Sequence, residues 1–308
     1  DNKEQKNRRE EFLEKMDELI PWARLEKKIA RYYVKSGNQG GRPPYPLSTM
    51  LRVHCLQLFY NLSDPGMEDA LYEVESMRRF AGISLDRVPD ETTILNFRHM
   101  LEENDLGEDI LKLVNAYLSK KGLLLKRGSI VDATIIAAPS STKNESGERD
   151  GQMHQTRKGQ QWYFGMKLHI GVDSRSGLAH SAVVTAANVH DKHPIPQLLH
   201  GAEQRVYGDS AYASQKQLIQ AKAPGAKDFT NQRSRKGGHI DEAVRAKNRT
   251  KSQVRARVEH VFGVVKRLWG FNKVRYRGLA KNATRSFVAL ALANIFLARR
   301  TLYGQVRP

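Results

Sequence analysis

One ten-residue run constrains the fold of this chain more than any other feature. Residues 129–138 read Ser-Ile-Val-Asp-Ala-Thr-Ile-Ile-Ala-Ala, β-branched and apolar, with a single carboxylate, Asp132, among them. A run of this kind is a buried strand. A lone carboxylate in such a place is costly to bury without partners, and most structural Asp residues sit in turns rather than mid-strand, so Asp132 is a candidate site residue. Two more strands are expected near 163–172 and 179–187, joined by a turn over 173–177. A helix around 194–200 leads to a short strand at 205–207. A single long helix is expected over about 241–268, then a basic segment and a last helix over about 281–302. The polar stretch 140–161 has no apolar periodicity and reads as a long loop, functional or mobile. The second part of the chain, 127–308, is thus expected to be an α/β domain with a mixed sheet and flanking helices.

The first part, 1–126, reads as an all-α module. Phe12, Leu13, Met16, Leu19 and Ile20 recur at helical spacing, and Trp22, Leu25 and Ile29 continue after Pro21. Glycines and prolines over 37–46 make a non-helical connector. Helices are expected over about 47–61, from near Pro65 to Gly82, and after Asp90, a suitable N-cap. Short helices joined by tight turns suit a DNA-binding module, and equally any helical bundle.

Charge divides the chain at the same place. Residues 1–126 carry 20 Lys+Arg against 21 Asp+Glu, a net of −1, whereas 127–308 carry 31 against 12, a net of +19. The whole positive excess therefore belongs to the second part, and a field of that size attracts polyanions such as nucleic acid. A basic surface kept for solubility is the bland alternative. No uninterrupted apolar run reaches the roughly 18 residues of a membrane helix; the best candidate, 287–298, contains Asn294 and reads as a core helix. The charged opening residues do not read as a signal peptide, and the absence of an initiator Met reads as a cropped or processed product. The single cysteine, Cys55, lies in an apolar helical stretch and is expected in the core of a protein from a reducing compartment.

Within the basic half three carboxylates stand out. Asp132 interrupts its strand. Asp209 follows the short strand in Val-Tyr-Gly-Asp-Ser-Ala-Tyr, where it is either a helix N-cap or a strand-end functional residue. Glu259 lies on the long helix, four residues after Arg255 and seven before Lys266, so at about 3.6 residues per turn all three are expected on one face. An ordinary Arg255–Glu259 salt bridge is the plain alternative. Residues 227–277 hold 15 Lys+Arg and 4 Asp+Glu, which makes Glu259 a rare negative group there. Oxygen ligands of this kind suit Mg²⁺. Two such ions about 4 Å apart can serve phosphodiester displacement, with Lys and Arg on the phosphates. No Gly-x-Ser-x-Gly elbow, Walker loop or zinc-type Cys/His cluster is present, and the histidines are scattered.

These residues resemble a known family, the bacterial insertion-sequence transposases of the DDE class, IS-five type. The segments that carry the resemblance are Gly41-Arg42-Pro43-Pro44-Tyr45-Pro46, Leu62-Ser63-Asp64-Pro65, Pro89-Asp90-Glu91-Thr92-Thr93, Val131-Asp132-Ala133-Thr134, Asn188-Val189-His190-Asp191 and Gly208-Asp209-Ser210-Ala211-Tyr212. A last element is similar to the family's Tyr-x2-Arg-x3-Glu-x6-Lys signature through Arg255, Glu259 and Lys266, with Ser252 where the signature has Tyr. The resemblance implies a ribonuclease H-like fold with Asp132 on its first strand, Asp209 on or just after its fourth and Glu259 on a late helix. It also implies catalysis with two Mg²⁺ or Mn²⁺ ions, both reached by Asp132 and Asp209, Glu259 completing one site. DNA, as element ends and target, is the implied partner, with Arg255 and Lys266 on phosphates beside the scissile bond, and Arg249, Lys251 and Arg257 as further DNA contacts. Two copies of the chain acting on paired ends, a bacterial cytoplasmic location and no membrane association are the remaining expectations. A metal-dependent nuclease of the same fold that cuts without joining, and a transposase-derived DNA-binding regulator, are the alternatives.

Overall fold

The computed structural model describes residues 5–33, 43–143, 145, 147–236 and 239–306. Seven helices open the chain: α1 (Arg8–Leu19), α2 (Trp22–Ile29), α3 (Leu47–Tyr60), α4 (Asp64–Glu73), α5 (Glu75–Ala81), α6 (Glu91–Glu103) and α7 (Leu106–Lys120). Their starts follow local chemistry. Asn7 and Glu10 form a reciprocal capping box on α1, Ser63 caps α4 ahead of Pro65, and Asp90 accepts from Thr93 N–H at the head of α6. The expected third helix is two helices, broken at Val74, whose extended backbone caps one and begins the other. Residues 37–42 of the expected connector lie outside the described residues, and 43–46 are irregular.

The basic half is built on one six-stranded sheet. Its strands are β1 (Gly128–Ala137), β2 (His154–Lys158), β3 (Gln161–Asp173), β4 (Ala179–Ala186), β5 (Arg205–Tyr207) and β6 (Lys227–Asp228). β3 pairs antiparallel with β1, β2 and β4, while β5 runs parallel to β1 and to β6. With the small β2 set aside, the spatial order β4-β3-β1-β5-β6 is that of a ribonuclease H-like mixed sheet, as the sequence led one to expect. The stretch expected to be a plain loop, 140–161, instead contains β2. That strand escapes notice because it is polar and exposed on both sides, paired to β3 across a turn in which Gly159 takes φ +63°.

Helices cover both faces of the sheet. They are the short α8 (Ile195–Leu198) and α9 (Lys216–Lys222), then, after a two-stranded ribbon of β7 (Arg235–Lys236) and β8 (His239–Ile240), α10 (Glu242–Arg255), α11 (Arg257–Phe262) and α12 (Leu279–Val306). The single helix expected over 241–268 is therefore in three pieces, since a π-helical turn, Gly263–Leu268, follows α11. The hinge at Ala256 lets α10 remain solvent-facing, without one buried residue, while α11 and the π turn drive Val258, Val261, Val264 and Val265 into the core.

α12 packs at once on α7, β4 and α1. Its stretch Leu279–Gln305 contains an 18-residue window with a mean hydropathy of 1.2, long and apolar enough to cross a membrane, but 56% of that window is buried inside the protein. Asn294, which interrupts the apolar run, is completely buried and pays for its place with hydrogen bonds. Its Oδ1 accepts from Ala179 N–H at 2.8 Å, and its Nδ2 donates to Asn115 Oδ1 at 2.8 Å and Ala179 O at 2.7 Å. The amide thus satisfies the first backbone groups of β4 and clips them to α7. Aromatic contacts tie the halves further: Phe59 lies 5.1 Å from Phe12 and 5.2 Å from Trp269 between ring centres. Cys55 is buried, and burial pushes its thiol up to about 12.

Candidate active site

The acidic groups of the sheet fall into two kinds. Asp173 and Glu203 are buried and fully used by the protein. Asp173 accepts backbone N–H groups from Lys126, Arg175 and Ser176. Glu203 accepts from His200 N–H at 2.7 Å, Gly201 N–H at 2.8 Å and the Ser129 hydroxyl at 2.9 Å. Asp132 is different. It accepts one backbone N–H, from Ala133 at 2.8 Å, and its nearest cation is Arg255, with Nε 3.7 Å from Oδ2. Burial, reinforced by Asp209 and Glu259 and opposed by Ala133 N–H and Arg255, raises its carboxyl to about 6.

The segment that brings Asp209 to it is a compact device. Asp209 lies two residues beyond β5 and accepts from Ala211 N–H at 2.8 Å, capping the 3-10 turn Ser210–Tyr212. The N-cap reading of the sequence is thus satisfied, and because capping uses one carboxylate oxygen it leaves the functional reading open. Tyr212 is buried and anchors the turn, and a side chain at Gly208 would sit 3.0 Å from its ring. Glycine, acid and tyrosine in Gly-Asp-Ser-Ala-Tyr therefore each have a geometric reason.

Asp132, Asp209 and the exposed Glu259 line one cavity of about 620 Å³, with Lys158, Arg255, Lys266 and Arg267 among its walls. Sequence spacing anticipated the company of Arg255, Glu259 and Lys266, but not the route, because the hinge at Ala256 and the π turn replace the continuous helix face. Nor does Arg255 pair with Glu259; its ion pair is with Asp132. Lys266 donates to Thr134 Oγ1 at 3.0 Å and Ile135 O at 2.9 Å, which leaves one of its three N–H bonds for a ligand. Its ammonium is held below the ordinary lysine value by burial and then by Lys158.

Three of the expected DNA contacts are not brought to this cavity. Lys251 donates to Thr230 O at 2.8 Å, Arg249 is exposed on α10, and Arg257 lies against the β3–β4 turn at Gly177. Lys158 and Arg267 were missed. Lys158 arrives on β2, which the sequence conceals, and Arg267 belongs to the turn whose helical phase could not be read ahead. Histidines that looked scattered also meet: His180, His200 and Glu203 have ligand atoms within 4.8 Å of one another, close enough for a metal ion. Their hydrogen bonds favour a purely structural cluster. His200 Nδ1 accepts from Ala202 N–H at 3.2 Å, so Nε2 carries the proton and faces Glu203 Oε1 at 3.4 Å. A metal on Nε2 would require the proton on Nδ1 instead.

The family model described as Transposase DDE domain matches residues 124–295. The chain belongs to this family of DDE transposases. A second model, Transposase domain (DUF772), matches residues 1–100, so transposase likeness extends over the helical half as well. Among solved structures, a piggyBac transposase synaptic complex with hairpin DNA aligns over 95% of this chain and 73% of its own, at 11% identity and TM-score 0.49. A Mos1 transposase paired-end complex with the left transposon end aligns over 80% and 88%, at 10% identity and TM-score 0.21. Neither likeness bears on the reading of the site. DDE transposases generally use divalent metal, and the donor set here fits one: three carboxylates around one cavity, with Asp132 half-buried and short of hydrogen bonds.

The raised carboxyl of Asp132 makes a testable statement about stability. A folded-state value near 6, above the ordinary carboxylate value, means that the metal-free fold holds this proton more tightly than the unfolded chain. The contribution of this group to stability is then full in acid and is lost as pH rises through about 6. Asp132→Asn should therefore melt a few degrees higher than the parent at pH 7.5 without metal. Mg²⁺ should raise the melting temperature of the parent and leave that of the variant nearly unchanged. A variant that melts lower, or that gains as much from Mg²⁺ as the parent, contradicts this reading.

Proposed function

We propose that this DDE transposase is an insertion-sequence enzyme of the IS-five type that cuts phosphodiesters at the element's ends and joins the freed 3′-hydroxyls to target DNA. The observation that carries the proposal is Asp132: a half-buried strand carboxylate short of protein partners, sharing with Asp209 and Glu259 a cavity whose other charged walls are Lys158, Arg255, Lys266 and Arg267. A strongly anionic substrate and cationic cofactors together balance that arrangement. Asp132, Asp209 and Glu259 would hold two Mg²⁺ or Mn²⁺ ions, which when bound supply activation of the attacking oxygen and stabilisation of the leaving one.

The chain's own groups do the rest. Lys158, Lys266 and Arg267 hold the phosphate backbone of the strand to be cut, and the anchoring of Lys266 to β1 fixes where that phosphate sits relative to Asp132. Arg255 beside Asp132 offers a planar, two-pronged contact to a phosphate. Arg249, Lys251 and Arg257, away from the cavity, serve flanking duplex. Residues 1–126 form the end-binding helical module and 127–308 the catalytic domain, in the bacterial cytoplasm, with two copies working on paired ends.

The deciding experiment gives the protein a pre-cut element end with a free 3′-hydroxyl, a supercoiled plasmid and Mg²⁺. Joined products are expected. Cutting of intact ends with no joining of pre-cut ones would replace this reading by that of a nuclease, and binding with neither reaction by that of a regulator.

A further inference from the structure

A second cleft of about 500 Å³ abuts the catalytic cavity and shares two residues with it, Asp209 and Arg255. Among the described residues Asp209 is its one carboxylate; Arg233, Arg235, Asn231, Asn248 and Ser210 make up most of its other walls. The segment carrying the two arginines is held in place on both sides. Towards the sheet, Phe229 N–H donates to Val206 O at 2.8 Å and Asn231 N–H to Gly208 O at 2.9 Å. Towards α10, Asn248 and the backbone of Gln232 bond reciprocally, at 2.7 and 3.1 Å. Ser252, which stands at the signature's Tyr position, accepts from Asn231 Nδ2 at 3.0 Å and so sets that wall.

Resting on the transposase reading above, we propose that this cleft receives the target strand, held by its phosphodiester backbone, while the carboxylate cavity receives the element's end. The wall chemistry is two guanidiniums with amide and hydroxyl groups, which suits phosphate oxygens and carries no obvious means of reading bases. The geometry of the reaction needs two places. In an in-line displacement the attacking and leaving oxygens lie on opposite sides of phosphorus, so a second strand must enter from beyond the first. A hydrolase that uses water has no need of a second polyanion cleft touching the same centre. In joining, the 3′-oxygen of the element's end forms a new bond to a target phosphorus. The bond from that phosphorus to the target's own 3′-oxygen breaks, and the proton lost by the attacking hydroxyl is matched by one gained on the departing oxygen.

The test is the doubly substituted Arg233→Ala, Arg235→Ala protein. Both side chains are exposed, so its melting temperature should match the parent's. Three quantities are compared: cleavage of an intact end, joining of a pre-cut end to plasmid, and binding of a labelled plain duplex to the preformed protein–end complex in Ca²⁺. Loss of two charge-assisted phosphate contacts should cut joining and plain-duplex binding by about 30-fold or more, with cleavage down no more than about threefold. Equal loss of cleavage and joining would mean the cleft serves the cut strand, and loss of neither would mean it serves no strand; both overturn the proposal. A parent protein that joins nothing removes the transposase reading itself, which is distinct from a parent that joins and a variant that joins as well.

Discussion

Replacing Asp132, Asp209 or Glu259 by alanine, one at a time, should abolish strand cleavage while leaving a folded protein that still binds DNA. The structural cost of each change is small and separable. Glu259 is exposed, so its loss touches no core contact. Asp209→Ala removes the cap on Ala211 N–H, a loss of about 1 kcal/mol. Asp132→Ala removes the hydrogen bond accepted from Ala133 N–H and the ion pair with Arg255, and an ill-solvated carboxylate with them. The chemical cost should be of another order. A drop of at least about 10³-fold corresponds to roughly 4 kcal/mol in the barrier, far above what a lost cap could cause in a protein still folded. Cleavage assays, gel shifts and thermal melting on the three variants decide the matter. A variant that cuts within about tenfold of the parent removes its residue from the site, since that is only roughly 1.4 kcal/mol.

Removal of divalent metal should be equally severe and, unlike the substitutions, reversible. In excess chelator cleavage should fall to background and return with Mg²⁺ or Mn²⁺. Ca²⁺ should support DNA binding with little or no cutting, because it takes more ligands at longer distances than Mg²⁺ and the three carboxylates here would present its bound oxygens differently. Full cleavage in chelator would end the metal reading of the cavity. Cleavage with Ca²⁺ as fast as with Mg²⁺ would show that the site does not discriminate by size.

Why some of this could be read from sequence and some could not has a physical basis. Asp132 was visible because a charge inside a β-branched run is expensive, and cost shows in sequence. The strands β1 and β3 were visible because their burial imposes apolar runs, and β4, half-buried over most of its length, because it is still rich in Ala and Val. β2 answers to no such demand: its stability comes from backbone pairing with β3, leaving its side chains free to be His, Gln, Thr, Arg and Lys. Lys158 was hidden with it. The breaks in the expected long helix were illegible for the opposite reason. No proline marks Ala256, and the residues around it are ordinary helix formers. The hinge and the π turn follow from tertiary demands, with four valines needing the core and Lys266 drawn to Thr134 and Ile135. The meeting of His180, His200 and Glu203 could not be foreseen either, because it depends on a pairing of elements that spacing along the chain does not encode.

The placement of α12 bears on how this enzyme can move. One helix packs against α7, α1 and β4 together, and one of the two hydrophobic core clusters runs from Leu13 through Ile136 to Leu302. The helical half and the sheet therefore lack a greasy joint at which one could swing against the other, and they share one cooperative unit rather than two. On the proposed function, the rearrangement that pairs DNA ends is therefore assigned to how copies of the chain dock on DNA, not to a hinge between these halves.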